Sequence, residues 1–244
     1  MENTVWGEET FSMPALSNLY GSPPFEYRKT KQLICAFETE PAILKALLPP
    51  ELEPNKEAIL SLSVGEYLCS GFGLYLEAHL FTTANFQGRL VNFSIYQILN
   101  SDVAVCAGRE IWGFPKKLGR LTFQTRDDVV SGTVERGGIK VIEAAVRLEK
   151  LGSHSDADGP QEWVCRRHIP SILENAPPDV DQLTSTTLSN VITHDVYIGD
   201  STLSFKPSPA DPFYKIQIKS MKTGLFVENQ FTLPSGSIAH DYRS

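Results

Sequence analysis

A mainly β (α+β) domain is the fold class that the sequence predicts, with mostly antiparallel strands and a few helical decorations. Three observations carry that expectation. Segments rich in β-branched and aromatic residues recur at short spacing along the 244 residues. Turn signals such as "RDD" and "RGG" stand between them. Few segments have the spacing of a helix. With 41% hydrophobic residues the chain can bury a sizeable core, and no repeat or low-complexity linker divides it. Residues 1–244 are therefore expected to form a single domain.

Taken in order, residues 1–25 are expected to be an extended N-terminal arm, because Pro14, Pro23 and Pro24 discourage regular structure. "QLICAFETE", residues 32–40, is apolar and alternating enough for a strand. In "EPAILKALLPPELEP", Ile43, Leu44, Leu47 and Leu48 fall on one helical face, and Pro49 and Pro50 stop the helix. From about 58 to 107 the chain is strand-like, through "AILSLSVGEYL", "GFGLYLEAHLFTT", "LVNFSIYQIL" and "VAVCAG". Further strands are predicted in residues 121–151, and then in "SNVITHDVYIGDSTLSFKPS" and "YKIQIKSMKTGLFVENQFTL". The small, polar stretch "GSHSDADGPQ", residues 152–161, has the composition of a solvated loop.

Composition excludes several classes of function. A net charge of -7 without a basic block argues against a nucleic-acid partner. No run of eighteen apolar residues offers a membrane span, and the N-terminus lacks the apolar core of a secretory signal. Cys35, Cys69, Cys106 and Cys165 are widely spaced without a CxxC pair, which suggests buried thiols and a cytoplasmic location. Within a cytoplasmic strand, the glycosylation pattern "NFS" at Asn92 carries no meaning. There is no GxSxG, HExxH or GxGxxG motif, and "GFGLYLE" lacks the third glycine and following helix of a nucleotide loop. The histidines at 79, 154, 168, 194 and 240 are scattered singly, as surface or satisfied core residues would be, so no metal site is expected.

The chemical lead is "GREIWGFPKKLG", residues 108–119, where Lys116 and Lys117 stand side by side among Trp112, Phe114 and Leu118. A lysine amine attacks carbonyls only when neutral, and at an ordinary pKa of about 10.4 roughly one in 2,500 is neutral at pH 7. Lowering that value to about 7 recovers about three orders of magnitude in nucleophile, at a cost of roughly 4–5 kcal/mol drawn from folding. Burial against apolar walls and a like charge nearby both act in that direction. The plain alternative is a solvated lysine turn.

The segment resembles the active-site stretch of the acetoacetate decarboxylase-like family, in which GRE, a short spacer and an aromatic residue precede PKKLG. The likeness extends, patchily, over nearly the whole chain. "FETEPAILKALLPPELEP", "GFGLYLEA", "CRRHIPSILENAP" and "YKIQIKSMKTGLFVENQFTLPSGSIAHDY" are each similar to family segments. What the resemblance implies is an antiparallel β-barrel or cone with flanking helices, assembled as a homo-oligomer. It implies a reaction without metal or cofactor on a small-molecule carbonyl substrate, a β-keto acid in that family. By position Lys116 would form the Schiff base, Lys117 would be the neighbouring charge that tunes it, and Glu77 would handle protons or orient the site. Activation of the lysine by desolvation or a neighbouring cation is likewise carried over with the resemblance. Adjacent residues of an extended segment point to opposite sides, however, so an inward Lys116 aims Lys117 away and leaves desolvation as the larger effect. Arg109 and Glu110 match the GRE and would form a structural ion pair holding the lysine loop.

Departures from the family pattern bear on the substrate. The arginine that meets the family's substrate carboxylate aligns with Thr30, and a second family glutamate with Leu62. Arg28, two residues from Thr30, would share its face in a strand and could replace the cation, unless it belongs to a surface basic cluster with Lys29 and Lys31. Phe114 replaces a tyrosine, giving a less polar, substrate-contacting wall. The expected function is a Schiff-base lyase that decarboxylates a β-keto acid, or a related carbonyl compound, larger and more apolar than acetoacetate. Aldol, dehydration or cyclisation chemistry on the same lysine, for example in secondary metabolism, stays open, as does a non-catalytic binding module.

Overall fold

The computed structural model describes residues 10–244, so residues 1–9 of the expected arm lie outside the described residues. Residues 10–24 fold back rather than extend. Ser12 Oγ donates to the Tyr20 carbonyl at 2.7 Å and accepts from the Tyr20 amide at 3.1 Å.

The elements that follow are β1 (Phe25–Glu38), α1 (Pro41–Leu47), β2 (Leu52–Pro54), β3 (Ile59–Cys69), β4 (Gly73–Phe86) and β5 (Arg89–Leu99). Next come α2 (Asp102–Ala107), a π-helical turn at Gly108–Trp112, β6 (Lys116–Leu118), β7 (Arg120–Arg126), β8 (Val129–Arg136), β9 (Ile139–Arg147) and β10 (Lys150–Leu151). The chain ends with β11 (Glu162–Ile169), β12 (Val180–Thr187), β13 (Ser189–Gly199), β14 (Ser201–Phe205), β15 (Ser220–Met221), β16 (Gly224–Leu233) and β17 (Ser237–Asp241). The stretch "VAVCAG" is helix, against the expectation of a strand. Its β-branched residues favour extended backbone, but Ser101 Oγ accepts from the Ala104 amide and starts a helix at Asp102.

The larger sheet runs in the order β10-β13-β16-β1-β3-β4-β5-β11-β12-β17, with β2, β6 and β15 paired alongside β4, β5 and β1. Its ladders are antiparallel except where β5 meets β6 and β11. No ladder joins β10 to β17, so the sheet is not closed into a barrel. A smaller sheet, β14-β9-β8-β7, packs against one face.

Alternation along the central strands decides what each face does. Leu33, Cys35 and Phe37 of β1, Leu60, Leu62 and Val64 of β3, and Ala78 and Leu80 of β4 point into the shared core with Val130, Val134 and Ile142 of the smaller sheet. Each such aliphatic side chain contributes about 1.5–3 kcal/mol by leaving water. The intervening residues, among them Gln32, Ser63, Glu77 and His79, face the other way and line a cavity. Burial of the apolar face thus fixes the register that presents the polar one.

Candidate active site

Lys116 reaches the cavity through a short sequence of backbone constraints. The π-helical turn ends at Gly113, whose φ of 79° suits glycine and whose missing side chain makes room for the backbone of Arg167. The chain then turns back so that Gln97 accepts its place beside Lys116 in the parallel β5–β6 ladder. The Arg109 guanidinium donates to the Lys116 carbonyl at 3.2 Å, while Glu110 accepts a hydrogen bond from the Tyr20 hydroxyl. Both residues of the GRE tie down the lysine loop, though with separate partners and not as the expected ion pair.

The Lys116 side chain is buried, and its Nζ lies 3.0 Å from Oε2 of the equally buried Glu77. The ring centroids of Phe114 and Tyr75 lie 5.5 and 6.0 Å from the same nitrogen. Tyr67 stacks on Tyr75 at 5.4 Å, and the Tyr75 hydroxyl donates to that of Tyr27 at 3.3 Å. Burial pushes all three phenols well above their ordinary value, so they stay neutral and act as walls and hydrogen-bonding groups. The cavity in front of the amine has a volume of about 730 Å³. Phe81, Trp163 and Phe231 extend its aromatic lining.

Lys117 does not enter. Its ammonium lies 3.0 Å from the fully buried carboxylate of Asp211 and 4.8 Å from the Tyr96 ring centroid, on the far side of the strand. This is the opposite-side placement that an extended segment dictates. Its charge is matched locally by Asp211.

Arg28 stays out of the cavity too. Its side chain is 71% exposed and pairs with Glu26 at 2.6 Å. The assumption that it shares a face with Thr30 fails because β1 carries a bulge between Tyr27 and Thr30, with Lys29 at a φ of 52°. Thr30 itself is buried opposite Asn229, a cavity residue. Leu62 points into the hydrophobic core, so an acid at that position would be buried away from the site. Its neighbours Ser61 and Ser63 face the cavity, as does Tyr67 further along β3. Among the described residues, Lys116 is the only lysine or arginine in the cavity lining.

Other lining residues were not legible from motifs. His79 stands on the face of β4 that carries Glu77, and the i, i+2 rule was the signal that could have found it. Asn92, of the glycosylation-like pattern, donates to the Pro160 carbonyl at 2.6 Å inside the fold. The polar segment at 154–161 is exposed as expected, but it also lines the mouth of the cavity, where a 3-10 turn is fixed by a Ser153–Asp156 capping box. Three of the four thiols are buried, Cys106 is half-buried, and all are free.

A buried amine held on a carboxylate at the floor of an aromatic-walled cavity defines a lysine-centred site for small molecules. The sequence profile of acetoacetate decarboxylase matches residues 12–243, and the chain belongs to that family of decarboxylases. Acetoacetate decarboxylase 2 of Mesorhizobium japonicum is 26% identical over 238 residues, spanning 95% of this chain and 89% of that protein. The acetoacetate decarboxylase of Acidiphilium cryptum is 24% identical, over 99% of both chains. Among solved structures, acetoacetate decarboxylase of Legionella pneumophila superposes with a TM-score of 0.90 at 27% identity, covering 96% of this chain and 95% of that one. The enduracididine biosynthesis enzyme MppR shares the fold, with a TM-score of 0.85 at 19% identity over 98% of this chain and all of that one.

Proposed function

We propose that the protein is a lysine Schiff-base lyase acting on a β-keto acid, or a related carbonyl compound, larger and more apolar than acetoacetate. The observation that carries this reading is the Lys116–Glu77 contact of 3.0 Å at the floor of a 730 Å³ cavity. Glu77 accepts a proton from the Lys116 ammonium, and the freed Nζ attacks the carbonyl carbon. Loss of water gives an iminium. The bond to the carboxylate carbon then breaks, carbon dioxide leaves, and the electron pair moves onto the iminium nitrogen to form an enamine. Protonation at carbon and hydrolysis return the ketone and the free lysine. Phe114 contacts the substrate beside the buried amine. A homo-oligomer in the cytoplasm is part of the same proposal, supported by the family and by the free thiols.

A second reading is favoured by a specific observation: among the described residues no guanidinium lines the cavity to meet a carboxylate. Aldol, dehydration or cyclisation chemistry uses the same iminium without such a group. MppR is known in complex with the condensation product of pyruvate and imidazole 4-carboxaldehyde, but at 19% identity it lends this chain its fold alone.

Incubation with a panel of β-keto acids and borohydride, followed by peptide mapping, tests the shared mechanism. The expected result is a reduced adduct on Lys116, absent from Lys116→Ala; no adduct there removes it. Release of carbon dioxide then separates decarboxylation from the second reading.

A further inference from the structure

His79 has no part in the scheme above, yet it is built into the same wall. It lies two residues beyond Glu77 on the same face of β4, about 7 Å along the strand. Across the ladders, Lys116, Gln97, His79 and Ser63 stand abreast. The His79 ring is buried and packed by Trp163 at 4.8 Å and Phe81 at 5.1 Å between centroids. Its Nε2 is 2.9 Å from Ser94 Oγ, which also receives the Gln97 amide at 3.4 Å. No described protein atom hydrogen-bonds Nδ1, although the residue lines the cavity. On the neighbouring strand the Gln97 side-chain oxygen is buried without a partner. Polar atoms held in an apolar box without partners cost free energy until something pairs with them.

We propose that His79, braced by Ser94, forms a subsite that takes a neutral hydroxyl group of the carbonyl substrate through its Nδ1. The assignment rests on the Schiff-base reading only for the word substrate. A hydroxyl fits because Ser94 occupies one ring nitrogen in either tautomer and leaves the other as a single donor or a single acceptor. A hydroxyl can answer both. A carboxylate does not fit here, because the walls are aromatic, Asp156 and Asp158 share the cavity lining, and the one lysine of the described lining, Lys116, is already paired with Glu77. Burial, with the Lys116 charge as a lesser cause, holds the imidazole well below its ordinary value and therefore uncharged.

Hexan-2-one and 5-hydroxypentan-2-one, matched in size, are the probes. Borohydride trapping on Lys116 is measured against the concentration of each, and the fluorescence of the cavity tryptophan, Trp163, reads their binding without borohydride. The hydroxyketone is expected to half-saturate at a concentration roughly three- to tenfold lower. In His79→Phe, which keeps the aromatic packing, the ratio of the two half-saturation concentrations is expected to fall to about one. Equal half-saturation of the native protein by the two ketones overturns the proposal without recourse to a variant, as does a preference that survives His79→Phe. If neither ketone is trapped while the fluorescence preference holds, the Schiff-base reading falls and the subsite stands.

Discussion

A β-carbon on Gly108 would lie 2.6 Å from both Cδ and Cε of Lys116, so the lysine chain runs directly over a bare glycine. The first residue of the GRE thereby sets the path along which the amine reaches Glu77. Gly108 has ordinary right-handed helical backbone, with a φ of -61°, so its role here is space and not conformational freedom.

Gly108→Ala consequently separates function from folding. Alanine is favoured over glycine in helical backbone by up to about 1 kcal/mol, which offsets part of the crowding. Unfolding stability is expected to change by less than about 1 kcal/mol, while trapping on Lys116 slows at least about tenfold because the displaced chain loses its near-attack placement. Urea titration alongside borohydride trapping tests this. Equal trapping rates in the two proteins would remove the positioning role.

In the proposed mechanism the Lys116–Glu77 pair puts charge to chemical use at the expense of stability. Glu77→Gln removes the proton acceptor and is expected to slow turnover by about 10²–10⁴. It also leaves an uncompensated ammonium in the core, at a cost on the order of 3 kcal/mol. The double variant Lys116→Met/Glu77→Leu is expected to recover that stability, since apolar residues of similar volume often match or exceed a buried ion pair. Denaturant midpoints of the single and double variants decide the point; a double variant less stable than Glu77→Gln contradicts it.

Lys117 belongs with Asp211, and its removal should report on that partnership. Lys117→Ala is expected to leave the pH–rate profile in place, with a stability loss of about 1 kcal/mol because the lysine is partly exposed. A profile displaced by a full pH unit or more would restore it as a tuning charge. Asp211→Ala costs more, on the order of 3 kcal/mol, since the buried carboxylate also serves Tyr96 and Arg136. Burial alone would raise this carboxyl, but the hydrogen bonds from Tyr96, Lys117 and Arg136 outweigh it and hold it below the usual range. With a depressed folded value, its stabilisation is complete above the unfolded value near 4 and is lost as pH falls through the folded value.

His79 predicts a second, milder acid sensitivity. The unfolded chain takes up a proton at this residue below about pH 6.5, while the folded protein keeps the ring neutral. The unfolded state then binds more protons, so stability declines with acidification by up to about 1.4 kcal/mol per pH unit. Urea titrations at pH 7.5 and 5.5 should show a smaller decline in His79→Gln than in the native protein. Identical declines would show that the ring accepts its proton without hindrance.

Much of the fold was readable because alternation is local. β1, β3 and β4 announce themselves by apolar residues at every second position, and the short helix α1 by its spacing before Pro49. "VAVCAG" misled because a hydrogen bond from the Ala104 amide to Ser101 Oγ, and not the composition of the segment, decides its state. The face of Arg28 was misjudged for a similar reason: one bulge shifts the parity of everything before it. His79 and Gln97 escaped notice because their meaning lies in which strands stand beside them.

The candidate pair was named before the fold, Lys116 by its apolar company and Glu77 by its resemblance to the family's glutamate-bearing strand. A lysine flanked by Trp112 and Phe114 behind a proline, together with Glu77 in an alternating strand, specifies residue types and local direction, including the outward turn of Lys117. The meeting of the amine and the carboxylate is different in kind. Lys116 and Glu77 are 39 residues apart, and only the β4–β5–β6 register, set by burial of the opposite face, brings them to 3.0 Å. The same non-local pairing left Arg28 outside and placed His79 within, because the side of a sheet that a residue faces is decided by the strands that pack against it.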